Sequence, residues 1–371
     1  MKPLGAANYL KNNLKKILPQ FICVVLSVYF IYLISVLFYS SIHGSNSCGL
    51  NLVEKGIMVK ARAKEYIPKS LISTVENDKD VGRIIPVVGD IGYFGYTSIF
   101  MSNTGITFNV FKEDVKSTVS LFHMKLIKGR MPRGDSNEII IPLNFAKQNK
   151  IAVGDYLGKN TNSNIYLNDD YKVVGIMDGP CNIIITSNTE NIGMSRSEAL
   201  KHSFICSLNS EKQSNISKKL KSINGDDITF YDYESLKKQI YGMYNSVNVL
   251  KIILDGLIIF VLCISIVHIN FVVYSNRKRE FSTLNLIGYK KIEIYKKIFK
   301  ENAVLNLVAF CVGTLVAALT MEILNIIIWE PKGEYAIVFK LEYFFTAFLV
   351  PLFVLIVNMI MPIKQIKSLR K

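Results

Sequence analysis

The sequence predicts a membrane protein with four α-helical transmembrane spans and a large mixed α/β extracytoplasmic domain between spans 1 and 2. Three observations carry this. Half of the 371 residues are apolar and only 20% are charged, with a mean hydropathy of +0.27, a balance typical of chains that place part of themselves in lipid. The apolar residues gather in four blocks, 21–42, 252–274, 302–329 and 341–363, each long enough to cross about 30 Å of hydrocarbon as a helix. The net charge of +15 is concentrated in three short segments.

Those segments set the topology. Lys2, Lys11, Lys15 and Lys16 precede the first span. Arg277, Lys278, Arg279, Lys290, Lys291, Lys296, Lys297 and Lys300 lie between the second and third, and Lys364, Lys367, Arg370 and Lys371 follow the fourth. Against these cations stand only Glu280, Glu293 and Glu301. Lys and Arg collect in cytoplasmic loops, so both termini (1–20 and 364–371) and the loop 275–301 are placed inside and residues 43–235 outside. A basic surface meant for nucleic acid would instead be gathered on a soluble domain with exposed aromatics, so no nucleic-acid partner is expected.

Span 1 (21–42) reads as an uncleaved anchor, because its apolar core is long for a signal peptide and Ser40 to Gly44 offer no small-residue cleavage site. Gly44 and Gly49 predict a break in its outward extension. Residues 43–235 carry short β-branched runs bounded by turn residues, Ile84 to Val88, Glu138 to Pro142, Lys172 to Met177 and Ile183 to Thr186, which read as strands. A helical stretch at 211–224, between strands Phe204–Leu208 and Ile228–Tyr231, completes a β-α-β unit. Cys48, Cys181 and Cys206 fall in this domain, an odd number without metal-like spacing; a disulfide framework is excluded, a single bridge is not.

From 236 the pattern changes. Leu236, Ile240, Met243, Val247, Leu250, Leu254 and Leu257 follow at alternating spacings of four and three, a heptad seam that runs without a break into span 2 (236–274 as one stalk helix and span). It predicts a stiff helix packed along one stripe. Within the spans Asp255 and His268 are ionisable; Asp255 reads as an interface residue reaching water and His268 as a helix–helix contact.

Motifs of chemistry are missing. No GxxxxGK[ST] phosphate loop, HExxH pair or GxSxG elbow occurs, so the chain is not expected to be an enzyme, to carry a cofactor or to hold a metal. Arg133, Gly134 and Asp135 make a chance triplet in a polar turn. A receptor would need an inside output domain larger than the roughly 25-residue loop between spans 2 and 3, which leaves a ligand-sensing receptor as the weaker alternative.

That loop, RKREFSTLNLIGYKKIEIYKKIFKE over 277–301, joins a basic cluster to apolar Phe281, Leu284 and Ile287. Gly288 ends one helix and a second amphipathic stretch starts after Tyr289. Arg279, Glu280, Leu284 and Gly288 together resemble the R-E-x-x-x-L-x-x-x-G signature of the FtsX-like permease domain of MacB-type (type VII) ABC transporters. Asn8, Tyr9, Leu10 and Lys11 to Lys16 are similar to that family's amphipathic N-terminal helix. Leu126 to Arg130, Asn137 to Pro142, Ala146, Val153 to Tyr156 and Val173 to Ile176 resemble its "L-x-x-G-R", "E-I-x-I", "A", "V-G-D" and "V-V-G-I" pattern, as in a MacB-like core domain.

The resemblance implies a permease subunit in the bacterial cell membrane, acting as a dimer with a second permease copy or homologue. Two copies of a separate cytoplasmic ABC ATPase would bind ATP and Mg, and lipid would surround the spans. The motion of that ATPase would pass through the coupling loop, Arg279, Glu280, Phe281, Leu284, Gly288 and Tyr289, and along the stalk to the outer domain. The implied task is export of, or resistance to, peptides, antibiotics or lipid-like substrates. The alternative is an FtsX-like activator of cell-wall hydrolases.

Overall fold

The computed structural model describes residues 12–62, 66–158, 164–208, 213–222 and 228–368, and their side chains except at 45–48, 191, 213–215, 243 and 360–368. The segment Asn8 to Lys11 and the side chains of Cys48 and Met243 therefore lie outside the described residues. The chain forms two compact units, one of Met1–Tyr39, Ser246–Asn325 and Ala336–Lys371, the other of Ser40–Asn245 and Ile326–Tyr335.

Among the described residues, four helices are long and apolar enough to cross a membrane. The first, α1 (Leu14–Glu54), continues through Gly44 and Gly49 without a break. Their lack of a side chain serves close approach: a Cβ at Gly44 would stand 2.0 Å from Ser98 Oγ, and one at Gly49 3.0 Å from the Ile240 side chain. The expected break is absent because helix continuity costs only about 1 kcal/mol per glycine, less than packing returns.

The α/β domain follows: β1 (Gly56–Ala61), α2 (Lys69–Glu76), β2 (Val81–Gly89), β3 (Gly92–Ser98), β4 (Met101–Val110), α3 (Val115–Leu121), β5 (Lys125–Gly129), β6 (Glu138–Pro142), α4 (Leu143–Asn149), β7 (Tyr156–Leu157), β8 (Ile165–Leu167), β9 (Tyr171–Asp178), β10 (Ile183–Thr186), α5 (Thr189–Ile192), α6 (Arg196–His202), β11 (Ser203–Leu208), α7 (Gln213–Ser222) and β12 (Ile228–Tyr231). The strands order β12-β1-β11-β2-β4-β10-β6-β9-β5, with β3 bridging β4 and β8, and β7 on β9. β11 and β12 both run antiparallel to β1, so α7 is the crossover between two parallel strands, and its Ile216 and Leu220 bury against Ile57 and Phe204.

The isoleucine run of β6 is buried on both faces of the sheet, as strands with parallel partners are. Ile139 and Ile141 join Phe94, Phe145 and Ile184, while Ile140 joins Phe108, Phe122 and Ile183 on the opposite face. At the β5 end, Gly129 has φ +77°, and a Cβ there would lie 2.1 Å from the Val174 carbonyl. Only glycine fits, and it delivers Arg130 to a bidentate pair with buried Glu138. The Arg130 hydrogen bonds hold the Glu138 carboxyl below its usual range. The "L-x-x-G-R" and "E-I-x-I" residues thus build one joint.

In the other unit, α8 (Tyr233–Asn276), α9 (Lys278–Leu286), α10 (Lys291–Leu324) and α11 (Leu341–Ser368) complete the helices. Ala309, Gly313 and Ala317 recur every four residues along the buried side of α10, and a Cβ at Gly313 would come within 2.9 Å of the Val25 carbonyl of α1. Small residues let membrane helices approach in this way. After α10 the backbone widens into a π-helical turn, Asn325–Trp329, then a 3-10 turn, Glu330–Lys332. Buried Asn325 closes the neck of this connector by accepting from Ala336 N at 2.8 Å and donating to Ala336 O at 3.0 Å.

Candidate functional site

The loop between spans 2 and 3 is a compact helical corner. Leu284, Gly288 and Tyr289 form its turn: Tyr289 N donates to Leu284 O at 3.1 Å and Gly288 N to Asn285 O at 3.2 Å, the paired bonds of a Schellman C-cap with glycine in the left-handed position. Gly288 has φ +99°. Leu284 and Tyr289, the two ends of that motif, both pack on a core of Tyr274, Phe281, Ile294 and Ile298. The next helix opens with Glu293 accepting from Lys290 N at 2.8 Å.

Beneath the turn lies a four-membered ion cluster. Arg277 donates to Glu280 from Nε at 2.8 Å and Nη2 at 3.0 Å, and to Glu301 from Nη1 at 2.8 Å. Lys297 donates to Glu280 at 2.8 Å. Arg277, Lys297 and Glu301 are all less than 9% exposed, and the two cations balance the two carboxylates. Burial alone would raise the Glu280 carboxyl, but hydrogen bonds from Arg277 and Lys297 outweigh it and bring it to about 2. The Arg277 guanidinium also lies 5.0 Å from the Phe281 ring centre.

Glu280, Phe281, Leu284, Gly288 and Tyr289 are therefore brought together. Arg279 is exposed on the outer side of α9, away from the cluster, and the tip beyond it presents Leu286 at 83% and Ile287 at 70% exposure. Sequence reasoning missed Arg277, Lys297 and Glu301 as partners; the i,i+3 pair 277/280 and the i,i+4 pair 297/301 were the available signals.

It also missed a buried amide network one turn deeper. Asn302 accepts from Gln20 at 3.3 Å and from Asn358 at 3.1 Å, and donates to Tyr274 at 2.7 Å, while Asn270 donates to Asn358. One polar side chain or more thus comes from each of the four spanning helices, and isolated amides in apolar runs were the signal.

Along α8, Leu236 packs on the domain core, and Ile240, Val247 and Leu254 are half-buried. Leu250 and Leu257 are more than half exposed. The stripe of α8 that is buried within this chain instead runs through Tyr244, Asp255, Leu262, Ile266, Asn270 and Tyr274. Asp255 pairs with Lys251 at 2.8 Å, and His268 is exposed. In the α/β domain a cavity of about 300 Å³ opens between the end of α1 and the start of α8, floored by Leu52, Val53, Phe108 and Leu236, with Ile106 on its wall and Lys60 and Asp90 at its rim.

Residues 252–370 match the family of FtsX-like permease C-terminal domains. No curated protein matches the chain. Among solved structures, the periplasmic region of MacB from Actinobacillus actinomycetemcomitans is 12% identical over 52% of this chain and 95% of its own, with a TM-score of 0.32. The extracellular domain of the noncanonic ABC-type transporter YknZ from Gram-positive bacteria is 9% identical over 48% of this chain and all of its own, with a TM-score of 0.30. A domain of a putative permease protein from Porphyromonas gingivalis is 11% identical over 48% and 88%, with a TM-score of 0.28.

Proposed function

We propose that this chain, which its C-terminal domain makes a member of the FtsX-like permease family, is the membrane subunit of a MacB-type ABC transporter. It takes the motion of a separate ATPase at the loop between spans 2 and 3 and passes it to the α/β domain. The observation that carries this reading is the corner itself. Capped, ion-locked and cored by Phe281, it is rigid, yet it ends in two exposed apolar residues, Leu286 and Ile287, beside exposed Arg279. Exposed apolar side chains on a rigid turn at a membrane surface suit a protein partner.

The basic segments support a reading with this loop and both termini in the cytoplasm of a bacterial cell and the α/β domain outside. Two ATPase copies carry the ATP and magnesium. A second permease copy or homologue covers the open Leu250 and Leu257 edge of α8, which no part of this chain buries among the described residues. Helices α1 and α8 are the transmission rods, since each is one unbroken helix from its span into the domain. The mostly apolar cavity between their outer ends supports peptides, antibiotics or lipid-like molecules with an apolar group as the substrates.

The test is co-purification with a coexpressed ABC ATPase from the same genome, and its ATP turnover in lipid. Leu286→Asp and Ile287→Asp change side chains that are mostly exposed, so they leave expression and thermal stability nearly unchanged while cutting association at least tenfold. Full association of both variants would overturn the docking role of this turn.

A further inference from the structure

The connector between spans 3 and 4 belongs to the α/β unit, and it is seated there by a carboxylate, Glu334, held by neutral partners. Glu334 Oε1 accepts from Asn144 Nδ2 of α4 at 3.2 Å, and Ser98 Oγ at the end of β3 lies 3.4 Å from Oε2. Lys147 of α4 donates to the Glu330 carbonyl at 3.3 Å. Gly333, at φ +77°, lets the turn approach so closely that a Cβ there would stand 2.7 Å from Asn144 Cα. Glu334 N closes the turn on Trp329 O at 3.0 Å. With the Asn325–Ala336 clamp at its neck, the connector is a fitted part and not slack chain.

Titratable and charged groups on the elements that form this seat include His43 near the end of α1, Tyr93 and Tyr96 on β3, Lys147 on α4, and Glu330, Lys332 and Tyr335 on the connector. Among the described residues, no cation lies within ion-pair distance of Glu334. A half-buried carboxylate with only neutral partners is costly when ionised. As a neutral acid the same group fits: its carbonyl oxygen accepts from Asn144 and its hydroxyl donates to Ser98 Oγ.

We propose that the connector 326–335 is a proton-operated latch of the α/β domain, seated on β3 and α4 when Glu334 is protonated and loosened when Glu334 ionises. Burial raises the Glu334 carboxyl above its ordinary 4.5, and the Asn144 and Ser98 hydrogen bonds pull it back only in part. A group raised in the seated state stabilises seating below its ordinary value, and that contribution fades as pH rises through the seated value. The permease thereby reads the pH of the compartment its α/β domain faces. The inference stands apart from the ATPase reading, and its test needs no ATPase, so the two fail separately.

The protein carries its own reporter, because its single tryptophan is Trp329, which is 8% exposed and sits within the connector. The experiment records Trp329 emission of the full chain in lipid nanodiscs from pH 4.5 to 8.5. In wild type the emission shifts towards longer wavelength in one titration with its midpoint above 4.5. Glu334→Gln, the neutral isostere, holds the acid-side emission throughout. Asn144→Ala removes a bond that favours the charged form, so its titration persists with a higher midpoint. A flat wild-type profile overturns the latch, as does an unchanged titration in Glu334→Gln, which would assign the signal to another group. If Glu334→Gln fails to fold, the Asn144→Ala midpoint decides: a midpoint unmoved or lowered overturns the proposal.

Discussion

Arg277 and Glu301 meet at 2.8 Å across the junction of the second and third spans, both almost wholly buried. They lock the helix that leaves one span to the helix that enters the next. Removing Glu301 leaves two buried cations, Arg277 and Lys297, sharing the one carboxylate of Glu280, an excess buried charge that costs up to about 3 to 5 kcal/mol. Glu301→Leu is therefore expected to lower the thermal midpoint of the detergent-solubilised protein sharply. The double variant Arg277→Met, Glu301→Leu is expected to recover much of that loss, because a well-packed apolar pair replaces the ions without leaving a charge behind. Additive losses would show that the pair is not coupled.

Glu280 sets the acid limit of the same corner. Its carboxyl is lowered from an ordinary 4.5 to about 2, so its contribution is fully present above about 4.5 and is lost as pH falls towards 2. Thermal midpoints measured across that window are expected to fall more steeply for wild type than for Glu280→Gln. Parallel curves would place the acid sensitivity elsewhere.

The spans and the turn are legible in the sequence because each rests on local pattern: apolar runs for the spans, and the Leu284-to-Gly288 spacing for the cap. Strand runs such as Glu138 to Pro142 are legible for the same reason, whereas the strand order is set by pairings between distant segments. The ion cluster joins Arg277 and Glu280 to Lys297 and Glu301 across two helices, and only its local pairs leave a trace. The α8 seam shows a different limit. Up to Val247 apolar periodicity follows the packed side, but deeper in the membrane apolar side chains suit lipid as well as a neighbour. The face buried within this chain is there marked by Asp255, Asn270 and Tyr274. The connector left no pattern beyond a lone tryptophan and a Pro-Lys-Gly turn, since its fit depends on Ser98 and Asn144 far away in sequence.

Asn302 is the hub of the amide network, and its loss removes one hydrogen bond each from Gln20, Asn358 and Tyr274. Each unsatisfied buried group costs about 1 to 3 kcal/mol in general, and less where neighbouring amides in a membrane re-pair. Asn302→Leu is expected to destabilise the helical unit by about 2 kcal/mol, read as a lower thermal midpoint, with the α/β domain unchanged by circular dichroism. Asn302→Asp, which keeps the acceptor but adds charge at a buried site, is expected to be worse.

The cavity between the ends of α1 and α8 gives substrate handling a test that needs no known substrate. Ile106 lines it and is 40% exposed, so Ile106→Trp can fill the space without entering the core. Binding of the amphipathic dye anilinonaphthalene sulfonate to the full chain in nanodiscs is expected to weaken about tenfold, which is 1.4 kcal/mol. Ile106→Val leaves it unchanged. Equal binding by Ile106→Trp would remove the cavity from the account of substrate recognition.

Gly288 separates a structural cap from a coupling role. A Cβ at Gly288 meets no atom within 4 Å, so Gly288→Ala introduces no clash, only the cost of a left-handed residue, about 1 to 2 kcal/mol. That penalty falls on the turn which orients Leu286 and Ile287. If the turn is the docking point, Gly288→Ala is expected to weaken ATPase association severalfold while the melting of the whole protein shifts by only a few degrees. Gly288→Asn, the other residue that tolerates this conformation, is expected to restore most of the association. A variant series in which association tracks thermal stability and ignores the Asn rescue would make the turn a mere brace between two spans.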